Sequence, residues 1–201
     1  MPITDEELVQ RVQDGDRSAF DLLVERYKVR AFQIARGVVG NPEDAKDLTQ
    51  EAFLRAFQGI GRFGGKSTFF TWYCRILVNL CIDHQRWRKR WFSWVLTPFR
   101  EGEESQKPVE VEQVDERATA NPGRVLENRE LGRRVEESIA ALPKQQRMVF
   151  LLRHYHDLPL REIAIILGMA EGTVKSHLFR SIQSLQQRLK DYGSGEENDL
   201  R

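Results

Sequence analysis

Apolar residues recur along this chain at helical spacing, and no stretch of any length alternates in the way a strand would. Thr4 and Glu7 form a capping-box pattern ahead of Leu8 and Val12. After Gly15, with Asp16 or Ser18 as the next cap, Phe20, Leu23, Val24, Tyr27, Ala31, Ile34, Ala35 and Val38 make one long stripe. Gly40-Asn41-Pro42 breaks it, and Pro42 suits the first turn of a further helix whose acidic start, Glu43 and Asp44, complements the helix dipole. That helix runs to about Gln58 with Leu48, Ala52, Phe53, Ala56 and Phe57 as its seam. A glycine-rich loop, Gly59 to Gly65, follows, and Ser67 or Thr68 caps a long helix from Phe69 to Arg90. The pattern predicts an all-α protein of two small helical domains joined by a flexible acidic linker, the second domain a helix-turn-helix.

The boundaries come from shifts in composition. Residues 1–97 form the first domain, 98–121 the linker, 122–192 the second domain and 193–201 a disordered tail. The linker carries Glu101, Glu103, Glu104, Glu110, Glu112, Asp115 and Glu116 against few cations and has no helical stripe. Between the basic end of the long helix and the linker, Trp91-Phe-Ser-Trp-Val-Leu-Thr-Pro-Phe99 is unexpectedly apolar. It reads first as a continued helix packing on the domain, second as an anchor for a regulator, and third as a membrane-surface contact. In the second domain Val125, Leu126, Leu131, Val135, Ile139 and Leu142 mark one helix, and Pro143 starts the next, with Met148, Phe150, Leu151 and Leu152.

The helix-turn-helix lies between Leu158 and Leu189. Leu160, Ile163, Ala164 and Leu167 share a face, and Gly168 supplies the left-handed backbone of a tight turn. A second helix begins near Glu171 to Thr173, with Val174, Leu178, Ile182, Leu185 and Leu189 buried. Lys175, Ser176, Phe179, Arg180 and the flanking His177 then face outward. Cations, a hydroxyl and an aromatic on one helix suit base edges and phosphates in a DNA major groove. The pattern alone also fits an amphipathic hairpin with a solvated face.

Composition narrows the classes. With 201 residues and a net charge of +1, no global basic field marks nucleic-acid binding, so any DNA contact must be local. No apolar run is long enough to span a bilayer and no signal peptide is evident, which predicts a cytoplasmic protein without stable membrane insertion. Cys74 and Cys81 lie two helical turns apart, too far for a disulfide within the helix, and read as small buried hydrophobes. Gly65-Lys66-Ser67 resembles the end of a phosphate-binding loop, but Ile60 stands where that motif needs glycine. No metal site, cofactor or catalytic set emerges, so the chain does not read as an enzyme.

Three blocks carry a family resemblance. Leu160-Arg-Glu-Ile-Ala-Ile-Ile-Leu-Gly-Met-Ala-Glu-Gly-Thr-Val-Lys-Ser-His-Leu-Phe-Arg180 resembles the promoter-binding helix-turn-helix of the extracytoplasmic-function (ECF) sigma factors of bacterial RNA polymerase. Asp47-Leu-Thr-Gln-Glu-Ala-Phe-Leu-Arg-Ala-Phe57 resembles their segment that docks on the clamp helices of the largest polymerase subunit. The stretch from Phe69 to Arg90 resembles the segment that captures and opens the minus-ten element. The resemblance spans about residues 4 to 190.

It implies roles residue by residue. Asp44, Asp47, Gln50 and Glu51 would meet core RNA polymerase, an acid-and-amide face suited to a basic partner helix. Asn79, with Phe63, Ser67 and Trp72, would line a pocket for a base flipped from the non-template strand. Arg75, Arg86, Arg88, Lys89 and Arg90 would track its phosphates. Trp72 also reads as a core residue, and Asp83 as a cap or ion-pair partner. Arg161, Thr173, Lys175, Ser176, His177, Phe179 and Arg180 would read the minus-thirty-five element as duplex. Promoter DNA, core polymerase and an anti-sigma factor are the implied partners, in a stress or envelope response. Gly64, Lys66 and His177 depart from the family's usual residues.

Overall fold

The computed structural model describes residues 3–95 and 132–193. The acidic linker, the Leu96–Phe99 end of the apolar stretch and the tail beyond Gly193 lie outside the described residues. Every regular element among those described is helical. Helices α1 (Asp5–Gln13), α2 (Ser18–Val39), α3 (Pro42–Gly59) and α4 (Phe69–Val95) make the first half, with a 3-10 turn, Ile60–Arg62, after α3. The second half holds α5 (132–140), α6 (Lys144–His154), α7 (Leu160–Leu167) and α8 (Glu171–Gly193).

The helix starts follow local chemistry. Thr4 and Glu7 close a reciprocal capping box on α1. Asp16 Oδ1 accepts both the amide and the hydroxyl of Ser18. Asn41 accepts the amides of Glu43 and Asp44. Of the two candidate caps for α4, Thr68 performs the task, accepting the Thr71 amide at 3.1 Å. Helix α4 then continues through Val95, so the basic-to-apolar stretch extends the helix rather than opening a loop.

Aromatic rings fill the first half. Phe53 stacks on Tyr73 at 4.4 Å between centroids, and Phe20 meets Phe57 edge-on at 5.1 Å. Tyr73 is fully buried and Phe69 nearly so. Burial of each such ring contributes about 1.5–3 kcal/mol. Cys74 and Cys81 are free and completely enclosed. Burial pushes both thiols up, Cys81 to about 12, so they stay protonated and serve as packing.

The two halves are not separate cores. One apolar cluster runs from Leu8 in α1 to Val174 in α8, and a smaller one joins Ile139, Leu142 and Leu185. Helix α7 packs on α4, and α6 packs on α2. The single-stripe reading of α7 expected Leu160, Ile163, Ala164 and Leu167 to be its inner face. Ile166 is also buried, at 2% exposure, because α7 is covered from two sides, by α8 and by α4.

Candidate nucleic-acid and polymerase interface

Helix α4 is the longest element among the described residues, 27 residues or roughly 40 Å at 1.5 Å per residue. At 100° per residue, Trp72, Arg75, Asn79, Arg86 and Arg90 fall within roughly 60° of one another. Arg75, Asn79, Arg86 and Arg90 are exposed, and Trp72 is half-buried at the head of this stripe. Phe63 sits against it, 5.1 Å from the indole centroid, and also meets Phe69 edge-on at 6.4 Å. Ser67 is half-buried in the same loop, its hydroxyl donating to the Thr68 carbonyl at 3.3 Å. The described part of the predicted single-strand site is thus one aromatic pair followed by an amide and three guanidinium groups on a rigid rod.

Arg88 stands apart from that stripe. It points about 140° away from Arg75 by helical geometry, and it pairs with Asp44 of α3 at 3.1 Å. His84 also approaches Asp44, at 3.8 Å. The Lys89 side chain lies outside the described residues. Asp83 has an ion pair with Arg86 at 3.5 Å, as its spacing allowed.

The four α3 residues read together from the sequence differ in their surroundings. Asp44 is half-buried at its edge, turned to α4, while Asp47 and Gln50 are open and Glu51 pairs with Arg55 at 2.7 Å. Leu54 lies on the same side of the helix, seven residues after Asp47, and is 52% exposed. Sequence reasoning passed over it because it lies outside the core seam and carries no polar atom. Gln13 was also missed. Its side-chain amide donates to the carbonyls of Ile60 (2.8 Å) and Phe63 (3.1 Å), tying the loop that carries Phe63 to the end of α1.

In the helix-turn-helix, Gly168 adopts φ 63° and ψ 37°. That is the left-handed turn its position requires, and its amide and that of Met169 both reach the Ala164 carbonyl. Thr173, Ser176, Phe179 and Arg180 form the centre of the outward face of α8, Phe179 being 62% exposed. Ser176 donates its hydroxyl back to Gly172 at 3.0 Å, leaving its oxygen lone pairs outward. Lys175, flanking this centre, is held by Glu171 at 3.0 Å. His177 flanks the other side, half-buried. Arg161 is exposed at the start of α7.

No group of three metal-ligating side chains occurs among the described residues, and no described helix is long and apolar enough to cross a membrane.

Comparisons with known proteins agree on one family. The Sigma-70 region 2 model matches residues 23–92, and the Sigma-70 region 4 model matches residues 132–185. The RNA polymerase sigma-H factor of Pseudomonas aeruginosa is 33% identical over 191 residues, covering 92% of this chain and 94% of that protein. The ECF RNA polymerase sigma-E factor of Escherichia coli K12 is 32% identical over 192 residues, covering 94% and 95%. Two solved structures share the fold at a TM-score of 0.64 and 22% identity. One is CnrH in complex with the cytosolic domain of CnrY, covering 93% of this chain and 97% of that one. The other is the sigma factor RpoE from Bartonella quintana in complex with the anti-sigma factor NepR, covering 85% and 96%. With relatives above 30% identity matched over nearly their full length and both sigma regions in order, the chain belongs to the ECF family of RNA polymerase sigma factors.

Proposed function

We propose that this sigma factor divides promoter recognition between α4 and α8, with α3 as its grip on core polymerase. The observation that carries the reading is the α4 stripe, which places an aromatic pair, Asn79 and three exposed arginines along one rigid helix face. Aromatic faces and an amide receive an unstacked base, and guanidinium groups follow the phosphates of an opened strand. Arg88, engaged by Asp44, is a positioning residue that holds α4 against α3.

Polymerase docking then centres on Asp47, Gln50, Glu51 and Leu54. An apolar anchor inside a polar rim is the usual anatomy of a binding hot spot. Thr173, Ser176, Phe179 and Arg180 read the minus-thirty-five duplex, with Arg161, Lys175 and His177 on its edges. Residues 1–97 and 122–192 act as the two promoter-reading domains and 98–121 as their connector. The protein acts in the cytoplasm, performs no chemistry itself, and answers a stress or envelope signal through an anti-sigma factor. Solved relatives of the same fold bound to such regulators support the last point.

The test is capture of core RNA polymerase on the immobilised full chain, followed by polymerase-dependent melting of promoter DNA. Capture with melting supports the reading. Capture without melting rejects the α4 assignment, and no capture rejects the α3 assignment.

A further inference from the structure

The end of α4 concentrates one residue type. Three of the chain's four tryptophans, Trp87, Trp91 and Trp94, fall close together there. The helix continues past all of them to Val95. At 100° per residue the three positions lie within roughly 60° of one another, spaced as i, i+4 and i+7. Trp87, the first of the row, is 54% exposed.

Heptad steps along α4 show two lines with different fates. Tyr73, Leu80, Trp87 and Trp94 make one line. Tyr73 is fully buried, Leu80 half-buried and Trp87 mostly open, so this line leaves the core as the helix advances. Cys74, Cys81 and Arg88 make the other, which stays engaged. Both cysteines are enclosed, and Arg88 pairs with Asp44 in the first turn of α3. Gln85 donates to the Val38 carbonyl at the end of α2. The domain therefore holds α4 by the second line, while the tryptophans follow the first.

The charge around the row has one sign. Arg86, Arg88, Lys89 and Arg90 are interleaved with it, and no carboxylate occurs between Asp83 and Glu101. Arg86 and Arg90 are exposed and flank the row on one side, within roughly 100° of Trp87. The pair that Arg86 makes with Asp83, at 3.5 Å, is open to solvent and weak. Indoles beside cations on a helix suit the boundary of a bilayer, where the ring sits at headgroup level and long basic side chains extend to lipid phosphates. A protein groove also takes anchors at this spacing, but it excludes charge from its centre. Arg90 stands at the margin of the row itself, which favours an anionic lipid surface. No described helix is long and apolar enough to cross a membrane, so the contact is with the surface alone.

We propose that residues 86–95 of α4 are a reversible docking site for the surface of an anionic bilayer. The Trp87, Trp91 and Trp94 indoles enter the headgroup boundary, and Arg86 and Arg90 meet lipid phosphates. Each cation brought near such a surface strengthens binding about fivefold. Arg86 and Arg90 also belong to the α4 stripe assigned to the opened strand, so a chain held on lipid cannot offer them to DNA. The lipid contact stands on α4 alone. Its competition with DNA rests on the strand-reading role proposed above.

The experiment mixes the full-length chain with vesicles of phosphatidylcholine alone, or of phosphatidylcholine and phosphatidylglycerol in equal parts. Co-sedimentation measures binding, and quenching of tryptophan emission by lipid brominated along its acyl chains measures indole entry. The wild type should bind the mixed vesicles and be quenched there, and should bind phosphatidylcholine alone about tenfold more weakly. Trp91→Ala with Trp94→Ala should weaken binding to mixed vesicles by about tenfold while still capturing core polymerase. Should that pair fail to fold, Trp94→Glu alone, beside the end of the helix, should weaken binding in the same direction. Mixed vesicles should also suppress run-off transcription by the wild type with core polymerase, and suppress it much less for the tryptophan pair. A wild type that ignores the mixed vesicles would overturn the proposal and leave the row to a protein groove. A tryptophan pair that binds lipid as tightly as the wild type would overturn it as well. Lipid binding without loss of transcription would overturn the competition with DNA. Absence of transcripts even without vesicles would instead reject the strand-reading role, while sedimentation and quenching would still decide the lipid contact.

Discussion

The two halves of this sigma factor meet DNA with opposite constructions. The first buries a dense set of rings, Phe20, Phe53, Phe69 and Tyr73, around the start of a 27-residue helix that displays one long stripe. The second is held by aliphatic side chains, Ile139, Leu142, Val149, Leu152, Ile163 and Leu185, and presents a short outward face on α8. The roles proposed for the two halves fit this difference. An opened strand has no shape of its own, so the protein supplies a rigid track and stacking surfaces. A duplex already has a groove, and a few side chains at the right spacing suffice to read it.

Substitutions distinguish the two constructions. The largest effect is structural. Phe69→Ala should destabilise the first half by about 3–5 kcal/mol, because Phe69 is almost wholly buried among five aromatic neighbours. Trp72→Ala, half-exposed, should cost clearly less in a denaturant titration. Equal losses would make both rings mere core and remove the distinction between support and display.

Next in size, Asp47→Lys and Leu54→Ala should each weaken capture of core polymerase by more than about 1 kcal/mol without changing the melting temperature appreciably. Unchanged capture by both would show that α3 docks nothing. Arg180→Ala should lower affinity for a duplex bearing the preferred minus-thirty-five sequence by about 1–3 kcal/mol, with little effect on other sequences. A uniform loss over all duplexes would assign Arg180 to phosphate. Arg86→Ala should show that second behaviour on single strands, weakening all sequences alike and reducing the salt slope by about 0.7.

The smallest effect concerns pH. Burial first, and Arg30 second, hold the imidazole of His156 down at about 4 against an ordinary 6.5, with Asp157 opposing them. Above pH 6.5 the ring is neutral whether buried or exposed, and the packed state is unaffected. As pH falls from 6.5 toward 4, chains with His156 exposed take up a proton that the packed chain refuses, so stability is lost across that window. Melting temperatures at pH 7.5 and 5.0 should therefore differ less in His156→Gln than in the native chain.

Much of the fold was legible because its signals are local. The capping box at Thr4 and Glu7, the break at Gly40-Asn41-Pro42 and the left-handed Gly168 each require only a few neighbouring residues. The outward face of α8 was equally visible, since one helix and its buried seam define it. What escaped depends on distant residues. Ile166 was not among the residues read as the inner face of α7, and its burial depends on helices packed from elsewhere in the chain. Asp44 and Arg88 read as members of two separate faces, and only the packing of α3 beside α4 makes them a pair. Leu54, an exposed leucine within an acidic face, carries no periodic signal.

If α4 and α8 read two different promoter elements, each element can be altered without the other. The most direct measurement is run-off transcription by core polymerase on a randomised promoter library, with the native chain, Asn79→Ala and Arg180→Ala. The native chain should select transcripts sharing two spaced elements. Asn79→Ala should relax only the element nearest the start site, and Arg180→Ala only the upstream one. If both substitutions altered the same element, or if the native chain selected a single element, the division of labour between the two halves would be contradicted.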